Sequence, residues 1–319
     1  MKLVKPKKVI VILGPTSSGK TNLAVKLAKQ FNGEIISADS RQVYKGMDVG
    51  TGKDLGEYKI KKTTNQENKK TKIEKIPYHL IDVVSPKKQF TVADYQQLAY
   101  RAIDDILQRG KVPIICGGTG LYISAVTEGY ILPKVQSSKF KIQSIRNKLN
   151  KLNLNQLLEQ LKKIDQKTYR VIDKNNRRRV QRALEIYYQT GLSKSAQLEK
   201  RPPAYKFLVL SLSFSRKVLN QRIDSRLKHR LEKGGLVKEV KRLHQQGVSW
   251  KRLEEFGLEY RWVAKYLQGK ISYDEMFKEL KKAIHHFAKR QMTWFKRNKN
   301  IKWIQGFSSA QREIDQFLK

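Results

Sequence analysis

The chain has 319 residues, room for one large domain or two smaller ones, and 67 Lys and Arg against 28 Asp and Glu leave a formal charge of +39. So large a charge opposes compaction unless polyanions or counterions relieve it, and arginine clusters accompany the lysines, so a nucleic-acid partner is favoured over a merely lysine-rich surface. The single cysteine, Cys116, excludes an intramolecular disulfide and a cysteine-built zinc site; the only early apolar run, Val9 to Leu13, is too short for a signal peptide or membrane span, so a cytoplasmic protein is expected.

Val9 to Leu13 is a short β-branched run that predicts a buried strand, and from Thr21 onward the apolar residues Leu23, Leu27 and Ala28 predict a helix. Between them Gly14-Pro15-Thr16-Ser17-Ser18-Gly19-Lys20-Thr21 fits the phosphate-loop pattern G-x-x-x-x-G-K-[ST]. Backbone N–H groups of such a loop point at an anion, Lys20 adds a point charge on the terminal phosphate, and the Thr21 hydroxyl holds Mg²⁺. After a turn at Gly33-Glu34, Ile35 to Ala38 predicts a second short strand ending at Asp39-Ser40-Arg41-Gln42. If the two strands are parallel neighbours, Asp39 faces the same crevice as the loop; helix capping explains an Asp-Ser pair equally well.

Gly46 to Lys53 is glycine-rich and predicts a loop over the site, and Gly56 to Ile76 is polar and lysine-rich and predicts a solvated excursion with no core role. Tyr78 to Val84 predicts a strand, Phe90 to Gln108 a helix, and Lys111 to Cys116 a buried strand followed by Gly117-Gly118-Thr119-Gly120 and a helix from Leu121. This alternation predicts a parallel sheet with helices on its faces.

Beyond Pro133 the pattern is helical. Lys139 to Leu161 is rich in lysine and leucine, and Val180, Ala183, Leu184 and Tyr187 form one apolar helix face, with Arg178 and Arg182 on another. Arg177-Arg178-Arg179 is a concentrated basic cluster suited to phosphate. Arg201-Pro202-Pro203 marks a boundary, Phe207 to Phe214 a further strand, and the remainder is helical, with ridges at Leu219, Ile223, Leu227 and Leu231 and at Phe277, Leu280, Ile284, Ala288 and Phe295. His285 and His286 are adjacent and do not share a face, which argues against a metal site.

Gly14 to Thr21, Asp39 to Lys53, His79-Leu80-Ile81-Asp82, Gly117 to Tyr122, Arg178 to Glu185 and Ala288 to Phe295 resemble, in that order, the tRNA dimethylallyltransferases of the bacterial type without a zinc finger. The resemblance spans nearly the whole chain and is most specific over Asp39 to Lys53. It implies transfer of a dimethylallyl group from dimethylallyl pyrophosphate to N6 of the adenosine 3′ of the anticodon, by a monomeric enzyme that grips the tRNA anticodon arm. It implies a P-loop NTPase-like parallel sheet flanked by helices (1–133 and 201–319) with an all-helical tRNA-binding insertion (134–200). Asp39 matches the general base and Thr16 a donor contact near the reacting carbon. Gly14, Pro15, Thr16, Ser17, Ser18, Gly19, Lys20 and Thr21 would hold the donor with Mg²⁺, and either Arg222 or Arg226 its pyrophosphate. Asp39, Ser40, Arg41, Gln42, Thr119, Lys141, Arg178, Arg179, Val180, Gln181 and Arg182 match tRNA contacts. The family usually has an arginine near Lys141, and Phe256-Gly257-Leu258-Glu259-Tyr260 replaces a usual Ile-Gly-Tyr-Lys-Glu. A phosphate-loop kinase of a small metabolite would explain Lys20 and Thr21 but not the basic helical stretch, and a non-enzymatic RNA binder would not need so complete a loop.

Overall fold

The computed structural model describes residues 7–64, 70–132, 139–191, 193 and 204–319. They divide into two compact units, Met1–Ile123 with Ala204–Lys319, and Ser124–Pro203. The Arg201-Pro202-Pro203 boundary lies outside the described residues.

In the first unit the strands are β1 (Lys7–Leu13), β2 (Gly33–Ala38), β3 (Lys59–Thr64), β4 (Lys70–Lys75), β5 (Tyr78–His79), β6 (Val112–Gly117), β7 (Tyr205–Leu212) and β8 (Lys302–Ile304). Six of them form a parallel sheet in the order β5-β2-β6-β1-β7-β8. A parallel sheet buried on both faces requires near-continuous apolar strands, and Val9–Leu13, Ile35–Ile36 and Ile114–Cys116 supply them. Helix α1 (Lys20–Gln30) packs Leu23 and Leu27 into the cluster holding Ile10, Ile12, Ile35 and Ile114, while α2 (Val92–Gln108), started by a Thr91–Asp94 capping box, packs on β2 and β6. Helix α3 (Gly120–Thr127) follows β6.

The second unit carries α4 (Lys139–Asn150), α5 (Leu154–Ile164), α6 (Gln166–Val171) and α7 (Arg177–Thr190). The expected Lys139 to Leu161 stretch is two helices, because the Asn153–Gln156 capping box restarts the chain. Leu149, Leu157, Leu161, Val180, Ala183 and Leu184 form its core.

Back in the first unit come α8 (Arg216–Glu232), α9 (Leu236–Gln245), α10 (Trp250–Phe256), α11 (Leu258–Leu267), α12 (Tyr273–Phe295) and α13 (Phe307–Leu318). The ridge Leu219, Ile223 and Leu227 meets Leu280, Ile284 and Ala288 in a second core together with Val43, Tyr44 and Met47, and α13 joins α1 on the sheet through Ala310 and Ile314. No helix among the described residues is long and apolar enough to cross a membrane.

Two expectations fail here. Gly56 to Ile76 is not a coreless excursion: β3 and β4 pair antiparallel, and Tyr58 and Ile76 at its two ends are buried in the sheet's core. Only Tyr78–His79 of the expected Tyr78 to Val84 strand joins the sheet, because Leu80 and Asp82 take left-handed backbone angles (φ 62° and 56°) that turn the chain away. A lone bridge between Tyr44 and Val84 remains.

One ionic residue lies inside the sheet. Glu34 on β2 is 1% exposed and accepts from Arg109, from Lys111 at 2.8 Å and from His79 at 2.8 Å. The Arg109 contact first, then Lys111 and His79, hold its carboxyl well below the usual carboxylate range against the opposing effect of burial. A depressed folded value means that the stabilisation is complete above the unfolded value and fades as pH falls through the acid range. Glu34→Gln is therefore expected to cost about 2 kcal/mol at pH 7, and the gap from wild type to narrow below about pH 4. Thermal unfolding of both proteins at pH 7 and pH 3 tests this; a gap that does not change with pH contradicts it.

Candidate active site

The phosphate loop leaves the carboxyl end of β1, which lies between β6 and β7, the place where an open parallel sheet presents a crevice. Ser17 (φ 61°) and Gly19 (φ 78°) are left-handed, which curls the loop. Helix α1 then begins with no side-chain cap and no acidic residue in its first turn, so its initial N–H groups suit an anion. Lys20 donates to the Pro15 carbonyl at 3.2 Å. Burial pushes its ammonium below the ordinary lysine value, Arg226 adds to this, and Asp39 opposes it. Gly14, Pro15 and Ser18 are buried, and the Ser18 hydroxyl has no hydrogen-bond partner among the described residues. The Thr21 hydroxyl lies within hydrogen-bond reach of Glu57 and Cys116, and burial raises the Cys116 thiol to about 12.

Asp39 follows β2 and accepts from the Arg41 N–H at 2.8 Å and the Gln42 N–H at 3.4 Å. This Asx turn fixes the carboxylate at the strand exit. The glycine turn after β6 reaches the same place. The Thr119 N–H donates to the Ala38 carbonyl at 3.1 Å, and its hydroxyl accepts from the Ser40 N–H at 3.0 Å. Gly117 passes so close to β2 that a Cβ there would lie 2.2 Å from the Ala38 oxygen. Arg41 stacks its guanidinium over Phe256 at 5.6 Å, and burial lowers its pKa from the ordinary arginine value. Thus Thr16, Lys20, Asp39, Ser40, Arg41, Gln42 and Thr119 come together at one end of the sheet.

Arg222 and Arg226 part company. Arg222 is exposed and lies over Phe214 at 4.6 Å. Arg226 donates to the Gly52 carbonyl at 3.2 Å, and burial, with Arg230 adding to it, lowers its pKa to about 10. Arg230 is itself buried and paired with Glu259 at 3.1 Å.

The loop that receives Arg226 is built around buried ions. Glu239 of α9, 6% exposed, accepts from the N–H groups of Asp48, Val49 and Gly50 at 2.8, 2.7 and 3.0 Å and from the Tyr260 hydroxyl at 2.8 Å. Lys53 pairs with Asp48 at 2.7 Å and with Asp82. Gln42 donates to the Gly52 carbonyl at 3.4 Å and accepts from Ser37 at 3.2 Å.

In the second unit Arg178, Arg179 and Arg182 are exposed on α7, but Val180 is not a side-chain contact for RNA: it is fully buried in that unit's core, as its place on the apolar face of the helix requires. Arg182 and Arg146 pair with the buried Glu185 at 2.9 and 3.3 Å, and Gln181 donates to Asn150 at 2.8 Å. Lys141 falls on α4, its side chain outside the described residues.

Motif and spacing gave no role to Glu239 and Glu57, nor to Gln291 and Lys53 within the Ala288 to Phe295 and Asp39 to Lys53 stretches; Glu239, Glu57 and Gln291 meet partners far along the chain, and Lys53 meets Asp82 as well as nearby Asp48. Gln291 on α12 accepts from the Thr16 N–H at 2.9 Å and donates to the Gly118 carbonyl at 2.8 Å. His285, read as unsuited to a metal, pairs with Asp224 at 2.7 Å.

Residues 42–298 match the IPP transferase family model, and residues 7–67 the isopentenyl transferase model. The chain belongs to the IPP transferase family. Among its relatives, the tRNA dimethylallyltransferase 1 of Syntrophus aciditrophicus is 46% identical over 304 residues, 94% of each chain. The structure of a full-length tRNA isopentenylpyrophosphate transferase from Bacillus halodurans is similar at 35% identity and TM-score 0.67, covering 98% of this chain and 95% of that one. A eukaryotic dimethylallyltransferase captured acting on tRNA is similar at 29% identity and TM-score 0.76, covering 96% and 75%. The chain is therefore a prenyl-transferring enzyme with a P-loop-type parallel α/β fold and a helical domain.

Gly52 gives a direct test of this enzyme's loop. It is left-handed (φ 66°), and a Cβ there would lie 2.0 Å from both the Arg226 and Arg230 guanidinium nitrogens. If Arg226 is the arginine that holds the donor's pyrophosphate, Gly52→Ala is expected to displace it and raise the donor KM about tenfold, the loss of roughly 1.4 kcal/mol from one charge-assisted contact. Gly110→Ala is also left-handed, with nothing within 4 Å. It should cost only about 1 kcal/mol of stability. Steady-state kinetics and thermal unfolding of the pair separate backbone strain from the guanidinium clash; equal donor KM values would refute the role of the clash.

Proposed function

We propose that the enzyme transfers a dimethylallyl group from dimethylallyl pyrophosphate to N6 of the adenosine 3′ of the anticodon in tRNA. The observation that carries this reading is the Asp39 carboxylate, fixed by its Asx turn and tied to the turn after β6 by the Ser40–Thr119 contact, bearing electrostatically on Lys20 of the phosphate loop. An exocyclic adenine amine is a poor nucleophile until it loses a proton. Asp39 accepts that proton while the bond from N6 to the prenyl carbon forms and the carbon–oxygen bond to pyrophosphate breaks. Lys20, the first amides of α1 and Arg226 receive the charge that develops on pyrophosphate, and Thr16 lines the donor side. Of the two candidate arginines, Arg226 is chosen because it bears electrostatically on Lys20 and Asp39. Ser40, Arg41, Gln42 and Thr119 would surround the flipped base.

The residues present suit Mg²⁺: a threonine hydroxyl at the head of α1 with the Glu57 carboxylate beside it, the remaining ligands being phosphate oxygens and water. Bound there by Thr21, the ion would neutralise charge on the departing pyrophosphate. The helical insertion would hold the anticodon arm through Arg178, Arg179 and Arg182.

The deciding experiment combines purified protein, labelled dimethylallyl pyrophosphate and total tRNA, followed by nucleoside analysis. Asp39→Asn should lower transfer by about 10² to 10⁴ and leave tRNA affinity within twofold. Turnover near wild type in that variant would remove Asp39 as the base. For the insertion, Arg178→Ala combined with Arg179→Ala should weaken tRNA binding and flatten the slope of log affinity against log salt by about 0.7 to 0.9 for each phosphate no longer neutralised. Arg182 is left in place because Glu185 depends on it. Filter binding at several salt concentrations reads the slope, and an unchanged affinity and slope would make these arginines a solvated face.

A further inference from the structure

Among the described residues, one buried polar side chain joins the two glycine turns of the site. Gln291 is 8% exposed, sits on α12, and belongs to neither turn. Its amide oxygen accepts from the Thr16 N–H at 2.9 Å, and its amide nitrogen donates to the Gly118 carbonyl at 2.8 Å. Thr16 lies in the loop after β1, and Gly118 lies in the turn after β6. These strands are parallel neighbours, with Leu13 opposite Gly117. The two turns run close together there: a Cβ on Gly118 would lie 3.2 Å from the Gly14 carbonyl and 2.5 Å from the Gln291 nitrogen.

The two ends of the amide face different halves of the reaction. Thr16 leads into the loop that receives pyrophosphate. Gly118 leads to Thr119, whose hydroxyl accepts from Ser40 next to Asp39. One carboxamide therefore bridges the donor side and the base side beyond the end of the β1–β6 ladder. Only a group with one acceptor and one donor at its tip, at this length, satisfies both backbone groups. We propose that Gln291 is a positioning residue that keeps the phosphate loop and the Asp39 turn in register for prenyl transfer. This inference rests on the transfer reaction proposed above.

A register device has a signature that a merely structural glutamine lacks: each substrate still binds, but the reacting atoms no longer meet. A misplacement of about 1 Å in such a site costs about 100-fold in rate. Gln291→Met keeps the volume and loses both bonds; Gln291→Glu keeps an acceptor for Thr16 and has no donor for Gly118. Single-turnover transfer is measured for wild type and both variants at a temperature where circular dichroism shows all three folded. Affinity for inorganic pyrophosphate and for total tRNA is measured alongside. The expected result is a drop of about 100-fold in the rate for Gln291→Met, a smaller drop for Gln291→Glu, and pyrophosphate and tRNA affinities for Gln291→Met within threefold of wild type. A folded Gln291→Met that transfers within threefold of wild type overturns the inference. So does a loss of pyrophosphate affinity as large as the loss of rate, which would make Gln291 a support of the phosphate loop alone. A wild-type protein that transfers nothing removes the function reading, and this inference with it.

Discussion

The start of α1 presents backbone N–H groups that no side chain of the helix's own first turn or cap satisfies, and the site is arranged around that demand for an anion. The position of β1 inside the sheet makes the arrangement possible. Its neighbour β6 and the next strand, β2, end at the same edge and carry Thr119 and Asp39 there. Cations then arrive from the loop itself, through Lys20, and from α8, through Arg226. Each is partly desolvated, and burial moves both toward the neutral form. Lysine and arginine in such surroundings gain most from a polyanionic ligand, because the ligand supplies the countercharge that water no longer does.

The second element of the site is a loop held by ions. The Asp48–Gly50 backbone forms a concavity of N–H groups, and such a shape attracts anions. Here the occupant is the protein's own Glu239 carboxylate. A buried carboxylate with four donors is well satisfied, whereas removing its charge would leave those donors unpaired. Lys53, between Asp48 and Asp82, fastens the other end of the loop. Gly52 is thereby set where its carbonyl meets Arg226.

Much of this could be read from the residues, and what could not has a common cause. The phosphate loop announces itself because its function is written in consecutive residues. Asp39 could be placed from strand ends and topology, and it is set apart from a helix cap by the turn, not a helix, that follows it. Periodicity shows which face a helix buries and says nothing of its partner, so Glu239 reads as an ordinary polar residue on an amphipathic helix and Gln291, though inside a family-like stretch, reads without a role. Val180 illustrates the reverse. Its family motif pointed toward RNA while its helical period pointed inward, and the side chain is buried with Ala183 and Leu184. The β3–β4 hairpin was hidden by lysines on strands whose stabilisation comes from pairing, and β8, at three residues, is too short for any pattern to mark.

The contact between Thr16 and Gln291 joins residues 275 positions apart. Chains are made from the amino terminus and begin to fold as they emerge, and contacts of long separation close late. The sheet needs β7 before β1 has both neighbours, Glu239 cannot seat the Asp48–Gly50 loop until α9 exists, and the two glycine turns stay unlinked until α12 is finished. A growing or prematurely ended polypeptide therefore carries the phosphate loop without the parts that order it. The site is joined only once α12 has been made, and a copy that stops before it carries the two glycine turns without the residue that links them.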